Sequence, residues 1–232
     1  MYLARGVLNP VSRDVQRDLA DPGNLHRTIM KVFPDHLGVD PRKMLNVLHR
    51  VDEDRLRREF VLFVQCAVRP DFSRLPSDYF ASPTDDLDFA LAGDFGNPRM
   101  RPVADEWLAV RAGLRFAFRL RANTTKKIDT KTGADGVRRH GRRVPVRGDE
   151  ARMAWLARHA EAAGFAIDDG NVRITEVAAA GGRGVKSVTV AGAQFDGILV
   201  VRDADLFRAA LESGIGPAKA YGFGLLSIAP VR

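Results

Sequence analysis

His26 is the side chain in this sequence best placed for acid–base chemistry. It lies two residues after Asn24, which we expect to cap a helix over Leu25–Phe33. At about 100° per residue the ring falls at the edge of the apolar face, half sheltered and half reachable. A helix N-terminus disfavours an imidazolium, so a neutral ring able to accept a proton is favoured. A boundary histidine that only hydrogen-bonds a neighbour fits the same pattern, and both interpretations stay open.

Glycines crowd a loop near the end of the chain, between an expected helix over Asp203–Leu211 and an expected strand over Leu225–Val231. The loop holds Gly214, Gly216, Lys219, Gly222 and Gly224. Glycine allows a close approach of backbone to a partner, and successive free N–H groups bind anions. The order helix, glycines, strand excludes the dinucleotide fingerprint, which runs strand, glycines, helix. Gly-Lys-Ser/Thr is also missing, which excludes the Walker loop. The loop therefore favours a nucleic-acid backbone over a mononucleotide.

Positive charge is concentrated in one segment. The whole chain carries a net charge of +7, and residues 119–143 contain nine basic and two acidic side chains, which gives 9 − 2 = +7. The basic residues are Arg119, Arg121, Lys126, Lys127, Lys131, Arg138, Arg139, Arg142 and Arg143. Such a stripe is typical of a phosphate-binding surface. Because aromatic residues are few here, duplex phosphates are favoured over stacked single-stranded bases.

Several function classes are not indicated. The five histidines form no i, i+4 pair and there is no paired-cysteine spacing, so we expect no metal and no cofactor. Cys66 lies in an apolar run, as a core residue in a reducing compartment would. There is no leader and no apolar run long enough to span a bilayer. These features predict a cytoplasmic protein without a membrane partner.

The predicted helices and strands that must position these residues form two similar units. Hydrophobic periodicity predicts an α+β fold of tandem ferredoxin-like (β-α-β-β-α-β) domains. The first domain, residues 1–110, bears His26 and a long excursion over 69–105. The second, residues 111–232, bears the basic hairpin 119–143 and the glycine-rich loop 214–224. The expected strands are Tyr2–Leu8, Met44–Val51, Phe60–Val68, Leu114–Arg121, Val172–Ala178, Val185–Ala191, Phe195–Val201 and Leu225–Val231, and the expected helices end near Leu19, Phe33, Ala163 and Leu211. A second helix for the first unit must come from Pro70–Phe80 or Leu87–Leu91.

Four segments in this order resemble the CasE family, the endoribonuclease that cuts CRISPR precursor RNA in the type I-E Cascade complex. They are Met1–Arg5 with Leu25-His26-Arg27 and Val32-Phe33-Pro34, then Phe118–Asn123, Met153–Arg158 and Gly214–Arg232. The resemblance covers both ends and the middle of the chain. It implies the same tandem fold, with the site in the cleft between the halves. It also implies two partners, the CRISPR repeat RNA hairpin and the other Cascade subunits.

The resemblance implies metal-free RNA cleavage by 2′-hydroxyl attack, with His26 at the family's catalytic histidine. Lys186, just ahead of a strand as in the family, is the second catalytic candidate, and a solvated strand-edge lysine is the alternative. The residues expected to bind RNA are Arg27, Lys31, Arg119, Arg121, Lys126, Lys127, Arg138, Arg139, Arg142, Arg143, Gly216, Lys219, Gly222 and Gly224. Gly23 stands where some relatives have an assisting tyrosine. A non-catalytic RNA-binding subunit of the same fold is therefore the alternative function.

Overall fold

The computed structural model describes residues 1–35, 38, 40–82, 96–128, 142–181 and 188–231. Its strands are β1 (Tyr2–Val7), β2 (Leu48–Asp54), β3 (Glu59–Cys66), β4 (Arg99–Pro102), β5 (Arg115–Ala122), β6 (Thr125–Ile128), β7 (Arg142–Pro145), β8 (Phe165–Ile167), β9 (Arg173–Gly181), β10 (Val188–Val201) and β11 (Leu226–Pro230). Its helices are α1 (Arg13–Ala20), α2 (Pro22–Met30), α3 (Pro41–Met44), α4 (Ala104–Leu108), α5 (Asp149–Ala162) and α6 (Ala204–Ser213). Short 3-10 turns lie at Phe72–Arg74, Asp169–Asn171 and Lys219–Tyr221.

The first sheet has the order β2-β3-β1-β4, with antiparallel pairs throughout. The helices α1 and α2 connect β1 to the β2–β3 hairpin, and their apolar residues pack on the sheet. Val15, Ile29 and Phe33 are buried there. Cys66 is buried in the same cluster, and its burial raises the pKa of the thiol to about 12. The prediction that Cys66 is a core residue is confirmed.

The second sheet has the order β11-β5-β10-β8, and β9 pairs with another part of β10. On β5 the side chains alternate between the two faces, because Phe118 and Leu120 are buried while Arg119 and Arg121 are half-buried on the other face. The core under this sheet includes Trp155 of α5 and Phe207 of α6. Together the two sheets give the tandem ferredoxin-like fold that the sequence predicts.

Some elements differ from the prediction. The strands expected at Val185–Ala191 and Phe195–Val201 are continuous from Val188 onward in the single strand β10, while residues 185–187 lie outside the described residues. Gly192 lies in the middle of β10, where a Cβ would lie 2.2 Å from the Ala122 carbonyl oxygen. Within Pro70–Phe80 the structure has the 3-10 turn Phe72–Arg74 where we expected a helix, while Leu87–Leu91 lies outside the described residues. The domain boundary at residue 110 stays a prediction. Trp107 of α4 packs in the second core, although it precedes that boundary.

Side chains from each unit bond to the backbone of the other. Arg50 Nη1 of β2 donates to the carbonyl of Leu225 at 3.2 Å, and Gln65 Nε2 of β3 donates to the carbonyl of Leu211 at 2.6 Å. In the opposite direction, Arg121 Nη1 of β5 donates to the carbonyl of Val51 at 3.0 Å. These bonds are half-buried or buried, so the interface fixes the start of β2 against the glycine-rich loop.

Candidate active site and RNA interface

His26 lies on α2, where that helix meets the second unit. The helix begins at Pro22, and the Asp21 side chain caps it by accepting from Gly23 N at 2.8 Å. The predicted cap at Asn24 is therefore wrong, because Asp21-Pro22 supplies both the capping carboxylate and a proline for the first turn. His26 is the fifth residue of the helix, beyond the turn in which the helix dipole acts. Another cause must keep its ring neutral.

That cause is the surroundings of the ring. Burial lowers the pKa of His26 below its ordinary 6.5, and the positive charges of Arg42 and Arg27 lower it further, against an opposing effect of Asp40. The imidazole is half-buried, and its Nδ1 has no hydrogen-bond partner among the described residues. The ring is therefore neutral near pH 7, as the sequence predicted for a different reason.

A second imidazole lies beside it. The ring of His49, on β2, stacks with that of His26, with centroids 6.0 Å apart and 19° between the planes. His49 is completely buried, and this burial, with the charges of His26 and Arg42, lowers its pKa to about 3. Sequence reasoning missed His49, which lies between Leu48 and Arg50 in the expected strand Met44–Val51.

Arg42 is the cation that sequence reasoning missed. It lies on α3, a single turn that Asp40 caps by accepting from Lys43 N at 3.2 Å. Its positive charge lowers the pKa values of His26, His49 and Lys219. Arg42 is half-buried, and a guanidinium there suits a phosphate group between these residues. No motif signals it, because α3 is only four residues long.

The glycine-rich loop brings Lys219 to this site. The 3-10 turn Lys219–Tyr221 packs against α2, the helix of His26. Burial, and then Arg42, lower the pKa of Lys219 from its ordinary value. The resulting cluster of His26, His49, Arg42 and Lys219 is called the cationic cluster below. It joins residues from both units, and a site between the halves, as the family resemblance implies, stays a prediction.

The glycines of the loop are also explained by packing. All of Gly214, Gly216, Gly222 and Gly224 have φ between 74° and 91°, which favours glycine. A Cβ at Gly216 would lie 3.2 Å from the Trp155 ring, and one at Gly214 would lie 2.7 Å from the Gly224 carbonyl oxygen. At Gly222 a Cβ would lie 3.8 Å from His49 Nε2, which is ordinary contact. Phosphate binding by Gly216, Gly222 and Gly224 stays a prediction.

Two of the arginines expected to bind RNA have intramolecular partners. Arg119 Nε donates to Asp196 Oδ1 at 2.5 Å, and its Nη1 lies 3.2 Å from Asp52 Oδ2. Arg121 Nη2 bonds Gln194 Oε1 at 3.2 Å and lies 3.6 Å from Asp52. These contacts explain both residues without RNA, so their RNA binding stays a prediction.

The remaining predicted RNA-binding residues fall into three groups. Arg27 is exposed on α2 and Lys31 is exposed at the C-cap of that helix. The Arg27 guanidinium donates to Asn24 Oδ1. Lys126, Lys127 and Arg143 are exposed on the β6–β7 hairpin, and Arg142 begins β7. Arg138 and Arg139, as well as Lys186, the second catalytic candidate, lie outside the described residues.

The hairpin has an electrostatic feature that a stable protein ordinarily avoids. Lys127 of β6 is directly opposite Arg143 of β7 in the register. Like charges at such a position destabilise the strand pair. A polyanion bound over the hairpin would remove that cost, and phosphate binding by these residues stays a prediction.

The described residues form neither a metal-binding group nor a membrane-spanning helix. Across the described part of the chain, no group of three or more His, Cys, Asp and Glu side chains is close enough to hold a metal ion. The helices of the described ranges fall short of the length and apolar character that a bilayer crossing requires.

Known proteins share this architecture. Residues 1–230 of this chain match the model of a protein family whose description is "CRISPR associated protein". The chain belongs to this family. It is 32% identical over 241 residues to the CRISPR-associated endoribonuclease Cse3 of Thermus thermophilus, a match that covers 99% of this chain and 100% of the relative. It is 35% identical over 125 residues to the CRISPR system Cascade subunit CasE of Escherichia coli, covering 53% of this chain and 61% of that one.

Solved structures of CRISPR-associated proteins match the fold as well. A structure of CRISPR endoribonuclease Cse3 bound to a 19-nucleotide RNA has a TM-score of 0.77 and 31% identity, and covers 99% of this chain and 100% of that one. Thermus thermophilus Cse3 bound to an RNA representing a pre-cleavage complex has a TM-score of 0.76 at 31% identity, covering 99% and 98%. The resemblance to the CasE family inferred from the sequence is confirmed.

Proposed function

We propose that this CRISPR-associated protein is a metal-independent endoribonuclease that binds the hairpin of CRISPR repeat RNA and cuts it to make mature crRNA. The observation that carries the proposal is the neutral imidazole of His26 inside the cationic cluster, at the junction of the two units. Acid–base chemistry on a phosphodiester needs both a group that moves a proton and cations beside the phosphate. The endoribonuclease Cse3, 32% identical over the whole chain, supports the same activity.

The proposed step is an internal transesterification. His26 Nε2 takes the proton of a ribose 2′-hydroxyl, and the 2′-oxygen forms a bond to the adjacent phosphorus. The bond from phosphorus to the 5′-oxygen breaks, and the leaving oxygen takes up a proton to become a 5′-hydroxyl. The other product end is a 2′,3′-cyclic phosphate, so no water molecule and no metal ion enter the balance.

Cations stabilise the charge that develops on the phosphorane oxygens. Arg42, whose charge acts on His26, and Lys219, whose turn packs against the helix of His26, are proposed for this role. Lys186 is proposed for it on the family resemblance. A lowered pKa makes Lys219 a better proton donor to the leaving oxygen than an ordinary lysine is. Arg27, exposed next to His26, is proposed to hold a flanking phosphate.

The duplex part of the hairpin is proposed to lie on the β6–β7 hairpin. The opposed Lys127 and Arg143 support this placement, as do the basic residues of the intervening segment. After cutting, we propose that the protein keeps its RNA and serves as a Cascade subunit in the cytoplasm, where the transcript is made. The relative named Cascade subunit CasE supports the partner assignment.

A test of the activity uses RNA carrying the repeat of the chain's own CRISPR locus, in EDTA, with the unmodified protein and His26→Ala. We expect the unmodified protein to cut and His26→Ala to bind without cutting. Loss of cutting in EDTA would contradict metal independence.

A second candidate function is a non-catalytic RNA-binding subunit. Gly23 favours this function, because it has no side chain at the position where some relatives have the assisting tyrosine. A side chain would have some room there, since a Cβ on Gly23 would contact only Asp21 Oδ1, at 3.1 Å. Tight binding by the unmodified protein without any cutting would select this function.

A further inference from the structure

His49 has no part in the mechanism described so far, although it lies in direct contact with the catalytic site. Its ring is held between two functional elements. On one side is the His26 ring, at 6.0 Å between centroids. On the other side is the glycine-rich loop, where a Cβ on Gly222 would lie 3.8 Å from His49 Nε2.

Stability does not explain an imidazole at this position. His49 is 0% exposed, and neither of its ring nitrogens has a hydrogen-bond partner within the described residues. Leaving a buried polar group unpaired costs about 1–3 kcal/mol, which an apolar side chain would avoid. The neighbouring buried polar residues, Arg50 on β2 and Gln65 on β3, both have hydrogen-bond partners, whereas His49 has none among the described residues. A polar residue that breaks the local pattern in this way is expected at functional sites.

The unpaired ring nitrogens of His49 lie beside another unpaired nitrogen, on His26. His26 Nδ1 is also buried without a partner among the residues described, so the two rings together present three such nitrogens. One water molecule accepting from one ring and donating to the other spans up to about 6 Å between nitrogens. The separation of the rings is compatible with that bridge.

We propose that His49 is the positioning residue of the catalytic histidine, and that a water bridge from His49 holds His26 in the tautomer with Nδ1 protonated and Nε2 free to accept. The inference rests on the proposed function of His26 as a base. A base needs its lone pair aimed at the substrate proton, and the hydrogen bond made by the other nitrogen decides which nitrogen carries it.

His49 does not exchange protons itself near neutral pH. Complete burial, then the positive charge of His26 and of Arg42, lower its pKa to about 3. The other charged groups that act on the ring pair are Arg27 on α2 and Asp40 before α3. His49 therefore orients His26 as a neutral ring, and its contribution should not depend on its own titration above about pH 5.

The direct test is ¹⁵N NMR of the imidazole rings in the RNA-free protein. We expect His26 to be in one tautomer, with Nδ1 protonated. In His49→Leu, similar in volume but without ring nitrogens, we expect a mixture of tautomers. A mixture in the unmodified protein, or the opposite tautomer, would overturn the proposal without any variant.

Single-turnover cleavage of the repeat hairpin gives the functional readout. We expect His49→Leu to slow cleavage of bound RNA about tenfold to a hundredfold, since a misplaced base loses that much, while the Kd for RNA stays unchanged. His49→Gln, which can donate and accept from a similar position, should recover most of the rate.

Val64→Ala is the matched control. Val64 is paired with His49 across the strands and is buried, so the change weakens the same core without removing a ring nitrogen. It should lower the Tm and leave the cleavage rate of the folded protein unchanged. Equal rates for unmodified protein and His49→Leu would refute the role of His49, whereas an unmodified protein that does not cut would refute the proposed function instead.

Discussion

The guanidinium of Arg119, on the second sheet, contacts the carboxylate of Asp52, on the first, with Nη1 3.2 Å from Oδ2. Asp52 also accepts from Arg50 Nε at 2.8 Å and from Arg50 Nη2 at 3.0 Å. The side chain of Arg50 is 2% exposed and that of Asp52 is 13% exposed. This buried network joins the two sheets through β2, the strand that carries His49.

Asp52→Asn should strongly destabilise the protein. It leaves the Arg50 guanidinium buried without its counter-charge, and breaking a buried pair in this way costs about 3–5 kcal/mol. Urea denaturation measures the change in the free energy of unfolding. Glu53→Gln is the matched control, because Glu53 is the next residue on the strand and its ion pair with Arg55 is exposed. We expect less than about 1 kcal/mol there, and equal losses in the two variants would mean that the network does not hold the units together.

Stability should fall as the pH falls below the ordinary pKa of histidine. The folded protein lowers the pKa of His26 and His49 from 6.5, so the unfolded chain binds protons more strongly. The neutral rings make their full contribution to the free energy of unfolding above about pH 6.5. Below that pH, each ring lowers the free energy of unfolding by about 1.4 kcal/mol per pH unit until its folded pKa is reached. For His49 this loss continues down to its folded pKa of about 3.

Urea denaturation between about pH 8 and pH 5 measures this slope, since a pKa shift is a stability difference. In His49→Leu the slope below pH 6.5 should be shallower by the contribution of one ring. An unchanged slope would show that His49 already binds a proton in the folded protein, which contradicts its burial as the cause of the lowered pKa.

Arg42→Ala should slow cleavage about tenfold to a thousandfold, because the site loses a cation beside the reacting phosphate. It should also raise the pKa of His26 and of Lys219, since Arg42 lowers both. NMR titration of the His26 ring checks the direction of the shift. Lys43→Ala is the control, because Lys43 is the exposed neighbour on the same short helix. If Lys43→Ala has the same effects, Arg42 acts only through long-range charge.

Replacing Arg138, Arg139, Arg142 and Arg143 by Ala should weaken RNA binding and flatten its dependence on salt. Each lost phosphate contact reduces the slope of log K against log salt by about 0.7 to 0.9. Binding titrations at several salt concentrations measure this slope. The control variant removes four exposed cations outside the hairpin, Arg13, Lys43, Arg55 and Arg58. Equal slopes for the two variants would mean that the RNA does not lie on the β6–β7 hairpin.

Much of this arrangement could be predicted because it is local. The half-sheltered position of His26 follows from helical periodicity, and the alternation on β5 follows from strand periodicity. The cap was misassigned because Asn24 and Asp21 are both good capping residues, and only the fold decides that the helix begins at Pro22.

The rest depends on contacts between distant parts of the chain. Arg119 reads as a free surface arginine in the sequence, and its partners Asp52 and Asp196 are 67 and 77 residues away. His49 and Arg42 reach His26 only after β2 and α3 have packed against α2. No short motif records such contacts. Of the four residues in the cationic cluster, only His26 and Lys219 could therefore be predicted from the sequence.

The most direct measurement of the central claim replaces one oxygen atom of the substrate. The cut site is first mapped on the repeat RNA, and a hairpin with a 2′-deoxy sugar at that nucleotide is then incubated with the unmodified protein in EDTA. If His26 moves the proton that starts an internal transesterification, this RNA binds as before and is not cut, while the all-ribose hairpin gives a 2′,3′-cyclic phosphate end. Cutting of the deoxy hairpin would contradict the mechanism.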